Sequence, residues 1–270
     1  MTMPCDKVAR RRVPGYRASW QWRHPARRTT GQQLGALDAY RAQVLDATLA
    51  RRFAPSDRAV ERIVRCVIGL FLFGLGITLL IRADLGAAPW DVFHTGVSEL
   101  TGIGVGPIIV ITGVLLLLLW IPLRELPGLG TVLNALLIGV FVDLTMPIVG
   151  STELLVARFA MMIGGVVLIG IGSGFYIGAG LGPGPRDGLM TGLSKRTIAG
   201  RRISIRLART SVELTVLVVG VLMGGAIGVG TAAFTFGIGP LVQIFLPRLQ
   251  IRPGSPVTTT PLPPSATPRS

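Results

Sequence analysis

The chain has 270 residues, of which 50% are apolar and 15% are charged. Soluble domains carry about 25% charged residues, so this composition excludes an ordinary soluble domain and favours a membrane protein. The formal net charge of +14 is unevenly spread, since 13 of the 27 Lys and Arg residues precede Ile63. The positive charge therefore belongs to a tail and to loops.

Residues 1–60 form a basic segment in which Tyr16, Trp20 and Trp22 are interleaved with arginines. Such a segment suits nucleic acid or anionic lipid, but an Arg-rich tail before a first span is where the positive-inside rule places it. We therefore expect a largely disordered cytoplasmic tail that meets anionic lipid and no specific nucleic acid. No apolar run in it resembles a secretory signal peptide.

Six apolar segments follow, each close to the 20 or so residues that cross a bilayer. They lack the polar face of a soluble helix, and glycine-rich stretches such as "GLFLFGLG" and "GGVVLIGIGSG" predict close helix packing. The sequence thus predicts an all-α polytopic helical membrane protein. Its expected spans are 63–81, 103–123, 131–149, 156–178, 211–227 and 231–247.

The distribution of Lys and Arg predicts the orientation of these spans. The tail, the turn at 124–128, the loop at 186–209 and the segment 247–255 carry most of the positive charge, and all fall on one side. Both termini are therefore expected in the cytoplasm, with the membrane domain at 61–250 in the cell's inner membrane. Residues 251–270 are rich in Pro, Ser and Thr and are expected to be disordered.

The chain also repeats itself. Residues 74–101 align with 170–197 at one fixed offset, and 128–143 align with 228–243 after a small change of offset. The predicted repeats, 61–150 and 151–250, hold three spans each, which makes the second copy enter the membrane inverted. If residues 90–101 crossed the membrane instead, each copy would hold four spans and the repeats would be parallel.

A Gly-Pro-Asp turn occurs in both copies, as "LGAAPWDV" and "LGPGPRDG". Gly and Pro end a helix and permit a tight turn, so the helix before Pro89 or Pro185 should end at each turn and a short helix should follow it. Asp91 and Asp187 are then expected to cap these helices, the interpretation we favour. Alternatively, the two turns with Arg186 form paired gates or re-entrant loops around a central path.

Four polar side chains within the predicted spans are further candidates. Asp143 ends the third span and Gln243 occupies the equivalent position of the second copy, while Asn134 and Glu213 begin spans. An ionisable group in a span is costly and usually faces the bundle interior, but Asp143 is also close enough to Pro147 to reach interfacial water. Glu213 is expected to pair with Arg209, four residues away. Tyr176 and Ser173 are expected to pack rather than bind.

Enzymatic chemistry is not expected. The Gly-rich segments do not follow strands of a βαβ unit, so the phosphate-loop and dinucleotide motifs fail on context. Only His24, His94, Cys5 and Cys66 offer soft ligands, and they form no zinc or disulfide pattern. We expect no catalytic residue, no cofactor and no metal.

Three stretches in this order resemble the YczE/YyaS/YitT-type bacterial integral membrane proteins: "GLGITLLIRADLGAAPWDVFHTGVSELTGIGVG", "WIPLRELPGLGTVLNALLIG" and "YIGAGLGPGPRDGLMTGLSKRT". The likeness runs from about Val64 to Pro247 and leaves both tails uncovered. The resemblance implies a multi-pass inner-membrane protein of largely unassigned activity. The motif residues match, but no catalytic role comes with them; they are Pro89, Asp91, Pro185, Arg186 and Asp187.

Two functions are consistent with these patterns. The first is a transporter of a small molecule or ion, suggested by the inverted repeat, the paired broken elements and Asp143. The second is a non-catalytic membrane scaffold or accessory protein that binds a protein partner through its Arg-rich loop. That loop carries Arg201, Arg202, Arg206 and Arg209.

Overall fold

A computed structural model describes residues 58–198, 201–202 and 204–251. The two predicted disordered tails therefore lie outside the described residues, except for Arg58–Val60 and Ile251. Eight helices make up the described part of the chain. They are α1 (Ala59–Ala83), α2 (Pro89–Thr101), α3 (Val105–Leu123), α4 (Leu129–Thr145), α5 (Leu155–Gly178), α6 (Pro185–Ser194), α7 (Ile205–Leu222) and α8 (Val229–Leu249).

The all-helical prediction is confirmed over these residues, apart from a minimal antiparallel pair of strands, β1 (Thr197–Ile198) and β2 (Arg201–Arg202). Four helices, α1, α3, α5 and α8, are long and apolar enough to cross a membrane. Helix α4 is apolar but has 17 residues.

The fifth predicted span, 211–227, is displaced. Helix α7 begins at Ile205, where the Ser204 hydroxyl caps it by accepting a hydrogen bond from the Leu207 N–H at 3.1 Å. It ends at Leu222, just before Gly224 adopts a φ of +100°. The helix therefore includes Arg206 and Arg209, two charged residues that the predicted span omitted. Glu213 lies in both the helix and the predicted span.

Residues 90–101 form most of α2, a helix of 13 residues. At 1.5 Å per residue, α2 is about 20 Å long, which is less than the roughly 30 Å of a bilayer's hydrocarbon. Helix α6 has 10 residues and is shorter still. Each of these short helices begins at the proline of its Gly-Pro-Asp turn, earlier than a cap at the aspartate would allow, because Pro favours the first helical position.

The expectation that Asp91 and Asp187 cap these helices was wrong. The cap positions are Ala88 and Gly184, both in extended backbone, and no side chain caps either one. The two aspartates lie third in their helices. Each proline occupies the first helical position and has shifted the helix start two residues ahead of the aspartate. A carboxylate there still interacts favourably with the positive end of the helix dipole.

Helices α1 and α5 form the centre of the fold and run antiparallel. Near one end the Arg62 guanidinium donates to the Ala179 carbonyl at 2.8 Å, and near the other Arg158 Nε donates to the Ala83 carbonyl at 2.7 Å. Between these contacts Gly76 meets Gly165, where an added Cβ on Gly76 would lie 2.7 Å from the Gly165 carbonyl oxygen. The predicted close packing of glycine-rich faces is confirmed at this interface.

Two glycine turns hold the beginnings of α2 and α6 against other helices. Gly86 and Gly182 have φ values of +96° and +125°, a region that favours glycine. Beside the first turn the Gly230 N–H donates to the Leu85 carbonyl at 2.7 Å, and beside the second the Gly130 N–H donates to the Leu181 carbonyl at 2.9 Å. Each turn is thereby fixed to the N-terminus of a long helix, α8 or α4.

Candidate solute cavity

A cavity of about 360 Å³ lies where the N-termini of α2 and α6 meet. Helices from both halves of the chain surround it. Its lining comes from α1 (Phe73), the start of α2 (Ala88, Pro89, Trp90), α4 (Asn134), α5 (Ile169, Ser173, Tyr176, Ile177), the start of α6 (Gly184, Arg186, Asp187, Met190), α7 (Arg209, Glu213) and α8 (Phe234, Ile238, Gly239, Val242, Gln243).

The two helix starts bring positive electrostatic potential to this cavity. A helix N-terminus exposes N–H groups that have no partner within the helix, and it carries about half a positive charge. No side chain caps Ala88 or Gly184, so the structure leaves these first turns without a side-chain acceptor. Pro89 and Pro185 have no N–H, and the Asp91 N–H donates to the Ala88 carbonyl at 2.8 Å, so the backbone donors that remain are those of Trp90, Arg186 and Asp187.

Arg186 is the central charged residue of the cavity. Its guanidinium carbon lies 4.9 Å from the centroid of the Trp90 ring, in a cation–π contact that joins α6 to α2. Among the described residues it makes no ion pair and no hydrogen bond. Trp90 is 7% exposed, and its indole N–H also finds no acceptor there. The site thus holds two donors whose hydrogen-bonding capacity is unused.

Asp187 is held by a neighbour on α5. The Tyr176 hydroxyl donates to Asp187 Oδ2 at 3.3 Å. A Cβ placed on Gly184 would lie 3.2 Å from that hydroxyl oxygen and 3.5 Å from Asn134 Nδ2, so the glycine allows these polar groups to converge. The Asp187 carboxylate is therefore stabilised by a hydroxyl donor and by the first turn of its own helix.

Glu213 and Arg209 form the expected ion pair. Arg209 Nε lies 3.0 Å from Glu213 Oε1, at the i to i+4 spacing of a helix. Both residues line the cavity, which places the pair on the wall formed by α7. The predicted ion pair between Arg209 and Glu213 is confirmed.

Asp91 lies behind the cavity wall and does not line it. It is 1% exposed, and its Oδ1 lies 3.4 Å from Nδ1 of His94, which is fully buried. Burial is the main cause that lowers the pKa of the His94 imidazole, which favours its neutral form. Asp91 therefore differs from Asp187, although the two occupy matching positions in the sequence.

Asp143 is also outside the cavity. Its carboxylate accepts a hydrogen bond from the Gly106 N–H at 3.2 Å, in the first turn of α3. An acceptor at that point stabilises a free N–H of the helix start. Gln243, at the corresponding position of the sequence alignment, does line the cavity. The two residues consequently have different surroundings.

Of the nine candidate positions, six line the cavity: Pro89, Arg186, Asp187, Asn134, Glu213 and Gln243. Pro185 is buried beside it, and its carbonyl accepts a hydrogen bond from the Trp120 indole at 3.0 Å. Sequence reasoning missed Trp90 and treated Tyr176 and Ser173 as packing residues. A hydroxyl in an otherwise apolar segment was the available signal for Tyr176.

The rest of the lining is apolar, and it includes Phe73, Ile169, Phe234 and Ile238. Ligand sites commonly combine such walls with a few convergent polar groups, in volumes of roughly 300 to 1,000 Å³. Among the described residues, no group of three or more His, Cys, Asp and Glu side chains forms a metal site. The arrangement suits binding of a small organic molecule.

Comparison with known proteins places these features in a family. Residues 60–247 match the profile of a family of unknown function, DUF6198. The chain is 36% identical over 180 residues to an uncharacterised protein of Haemophilus influenzae, with 67% of this chain and 81% of that protein covered. It is 36% identical over 182 residues to the uncharacterised membrane protein YczE of Bacillus subtilis, covering 67% and 83% of the two chains.

A third relative is the uncharacterised protein YyaS of Bacillus subtilis. It is 33% identical over 190 residues, which cover 68% of this chain and 91% of that protein. No solved structure matches the chain. Together with its apolar helices, the relationship to YczE identifies the chain as a membrane protein.

Proposed function

We propose that this chain, which belongs to the DUF6198 family, is a multi-pass membrane transporter of a small solute or ion. Its binding site is the cavity between α2 and α6. The observation that carries this proposal is that the N-termini of both short helices line one cavity, surrounded by long helices from both halves of the chain. Broken helices whose N-termini meet at a repeat interface are characteristic of transporter sites.

The transporter is built, in this proposal, from two inverted repeats of three spans and one short helix each. Support comes from pairs of hydrogen bonds in which the donor of one bond and the donor of the other occupy corresponding positions of the two copies, and so do the two acceptors. The Arg62 bond to Ala179 and the Arg158 bond to Ala83 link positions that correspond at the offset of the sequence alignment. Because these contacts join opposite ends of α1 and α5, the first helices of the two copies are antiparallel, as inversion requires.

A second matched pair supports the same symmetry. Gly130 donates to Leu181 and Gly230 donates to Leu85, which again exchanges the two copies. Trp90 and Arg186, which contact each other, also occupy corresponding positions in the alignment. The binding site in this proposal therefore lies on the pseudo-symmetry axis.

The two ends of the proposed pathway differ. Ser173 and Tyr176 line the cavity, whereas their counterparts in the first copy, Ile77 and Leu80, are fully buried. One half of the interface thus contains space and polar groups, and the matching half is filled with aliphatic side chains. In the proposed cycle, the packing of the two halves exchanges so that the site opens to the other side of the membrane.

We place the transporter in the bacterial inner membrane with both termini in the cytoplasm, following the Lys and Arg distribution. This orientation puts Lys195, after α6, in the cytoplasm and Glu99, near the end of α2, outside the cell. Both side chains are exposed.

Cysteine labelling tests this topology directly. Single cysteines in the variants Glu99→Cys and Lys195→Cys, made in a background without Cys5 and Cys66, would be reacted with a membrane-impermeant maleimide in intact cells and in inverted vesicles. Glu99→Cys should react in cells, and Lys195→Cys in inverted vesicles. Reaction of both from one side would contradict the inverted repeat.

Transport itself is tested by solute flux into proteoliposomes, with a panel of labelled organic anions, cations and zwitterions. Ile238→Trp should block flux because the indole fills the cavity that Ile238 lines. Phe236→Trp is the matched control, since Phe236 lies on the same helix and is 80% exposed. Flux of no solute, or equal flux through both variants, would count against a transporter.

The scaffold alternative loses part of its basis at Arg209, which pairs with Glu213 and lines the cavity. Its remaining arginines are Arg201, Arg202 and Arg206. Binding of a partner through them stays a prediction, to be tested by co-purification before and after their neutralisation.

A further inference from the structure

We propose that the solute of this cavity is a small monocarboxylate whose carboxylate binds the Arg186 guanidinium while its apolar part contacts the aromatic and aliphatic wall. This inference rests on the proposed function, because it names the chemical class of the solute.

Arg186 is the lining cation that no described carboxylate contacts directly, although the charges of Asp91, Asp187 and Glu213 act on it. Arg209 is paired with Glu213 at 3.0 Å, whereas Arg186 makes no ion pair or hydrogen bond with any described residue and only stacks on Trp90 at 4.9 Å. The N–H groups of the guanidinium make no hydrogen bond with a described residue, so they can bind another group. A planar fork of N–H donors matches a carboxylate, which it binds through two parallel hydrogen bonds.

The backbone around Arg186 favours an anion as well. The starts of α2 and α6 both line the cavity without side-chain caps, and N–H groups at a helix N-terminus bind anions. The indole N–H of Trp90, a residue that is 7% exposed, is buried beside this wall without an acceptor.

The carboxylates of the site limit the solute to a single negative charge. Asp187 and Glu213 line the cavity, and Asp91 lies behind it. Asp187 is held by the Tyr176 hydroxyl and Glu213 by Arg209, so neither requires a cationic solute. They would, however, repel a second anionic group in a medium of low dielectric constant. Dicarboxylates and phosphates are therefore disfavoured.

The wall opposite these groups indicates an apolar body. Phe73, Phe234, Ile169 and Ile238 line the same cavity of about 360 Å³. Apolar surface of a solute removed from water against them contributes favourably to binding, roughly in proportion to its area. Inorganic anions have no such surface, so an organic monocarboxylate fits the lining better.

Binding to the full chain in lipid nanodiscs tests the inference without requiring transport. Radiolabelled acetate, butyrate, hexanoate and benzoate would be measured by equilibrium dialysis. Unlabelled benzamide and terephthalate would then compete with benzoate, since they keep its ring but remove the charge or add a second one. We expect benzoate to bind, and both competitors to bind roughly tenfold more weakly or worse.

Three variants locate the interaction. Arg186→Gln should weaken benzoate binding by roughly tenfold or more, and Arg186→Lys should have an intermediate affinity because an ammonium keeps the charge but not the fork. Lys195→Gln is the control, since this neighbouring cation is exposed, pairs with Glu125 and does not line the cavity. Thermal unfolding of each variant would establish that it is folded.

The inference is overturned if no monocarboxylate binds, if benzamide or terephthalate competes as well as benzoate, or if folded Arg186→Gln binds benzoate as the parent does. The comparison of benzoate with benzamide needs no variant, so it remains decisive if Arg186→Gln does not fold. If the protein instead transports a different solute, and Ile238→Trp blocks that flux, the transporter proposal stands and only this inference fails.

Discussion

The guanidinium of Arg186 stacks on the indole ring of Trp90 at 4.9 Å, and this contact joins the first turns of two short helices. The second helical residue of α6 thereby meets the second helical residue of α2. Each of these helices begins at a proline, and both face one cavity. The contact therefore couples the two elements that the proposed transport cycle would move.

The coupling between these two side chains is measurable. A double-mutant cycle with Trp90→Leu and Arg186→Met should give an interaction free energy of about 0.5 to 2 kcal/mol, as cation–π contacts do. Unfolding in a denaturing detergent titration supplies the free energies. Trp90→Leu combined with Lys195→Met is the matched cycle and should be additive. An additive Trp90 and Arg186 cycle would contradict the contact.

The α1 and α5 interface depends on the absence of a Cβ at Gly165. An alanine there would bring its Cβ within 2.8 Å of the Gly76 carbonyl oxygen and 3.0 Å of Leu80 Cγ. Gly165→Ala should therefore lower the free energy of unfolding by about 1 to 3 kcal/mol, the usual cost of overpacking.

Gly164 supplies the control for that experiment. An added Cβ at Gly164 meets only Leu79 Cδ1, at 4.0 Å. Because alanine favours helix over glycine by about 0.5 to 1 kcal/mol, Gly164→Ala should be neutral or stabilising. If the two variants lowered the free energy of unfolding equally, the close approach of α1 and α5 would not explain the effect of Gly165→Ala.

Arg158 holds the end of α1 to the start of α5. It donates to the Ala83 carbonyl at 2.7 Å and to Asp84 Oδ2 at 2.8 Å, and its side chain is 21% exposed. Arg158→Gln should lower the free energy of unfolding by about 1 to 3 kcal/mol, because a helix-end carbonyl loses a charged donor.

Arg58→Gln is the comparison for Arg158. The Arg58 side chain is 62% exposed in its pair with Glu61, and surface ion pairs of this kind contribute only about 0 to 1 kcal/mol. The unfolding midpoint of Arg58→Gln should therefore stay close to that of the parent. A loss as large as that of Arg158→Gln would contradict the proposed role of the helix-end contacts.

The Tyr176 hydroxyl is expected to stabilise the charge of Asp187. Tyr176→Phe keeps the ring, whose centroid lies 6.2 Å from that of Phe73 in an edge-to-face contact. It removes the donor that lies 3.3 Å from Asp187 Oδ2. The free energy of unfolding should fall by about 1 kcal/mol, and benzoate should bind more weakly because the Asp187 charge is less compensated. An unchanged midpoint and unchanged affinity would exclude this role.

Much of the local structure follows from the sequence. Apolar segments of sufficient length predicted helices, and the two Gly-Pro-Asp turns indicated that a short helix follows each. The helices begin earlier than a cap at the aspartate would allow, because Pro suits the first position of a helix. The spacing of Arg209 and Glu213 was enough to predict their ion pair, since side chains four residues apart lie on one helix face. Glycine-rich stretches indicated the close α1 and α5 contact.

The environment of each polar residue was decided by tertiary structure. Asp143 and Gln243 correspond in the sequence, yet one binds the first turn of α3 and the other lines the cavity. Asp91 and Asp187 correspond as well, yet one is buried beside His94 and the other is exposed to the cavity. Periodicity describes one helix at a time, whereas these differences arise from which helices pack together.

The cavity is the clearest case of this distinction. The sequence by itself determined the apolar helices and a short helix at each Gly-Pro-Asp turn, because those depend on the composition and order of neighbouring residues. Only the packing of seven helices brought Arg186 onto Trp90 and left its guanidinium without a hydrogen bond or ion pair among the described residues. Unused hydrogen-bonding capacity depends on distances between elements far apart in the chain, which a single sequence does not specify.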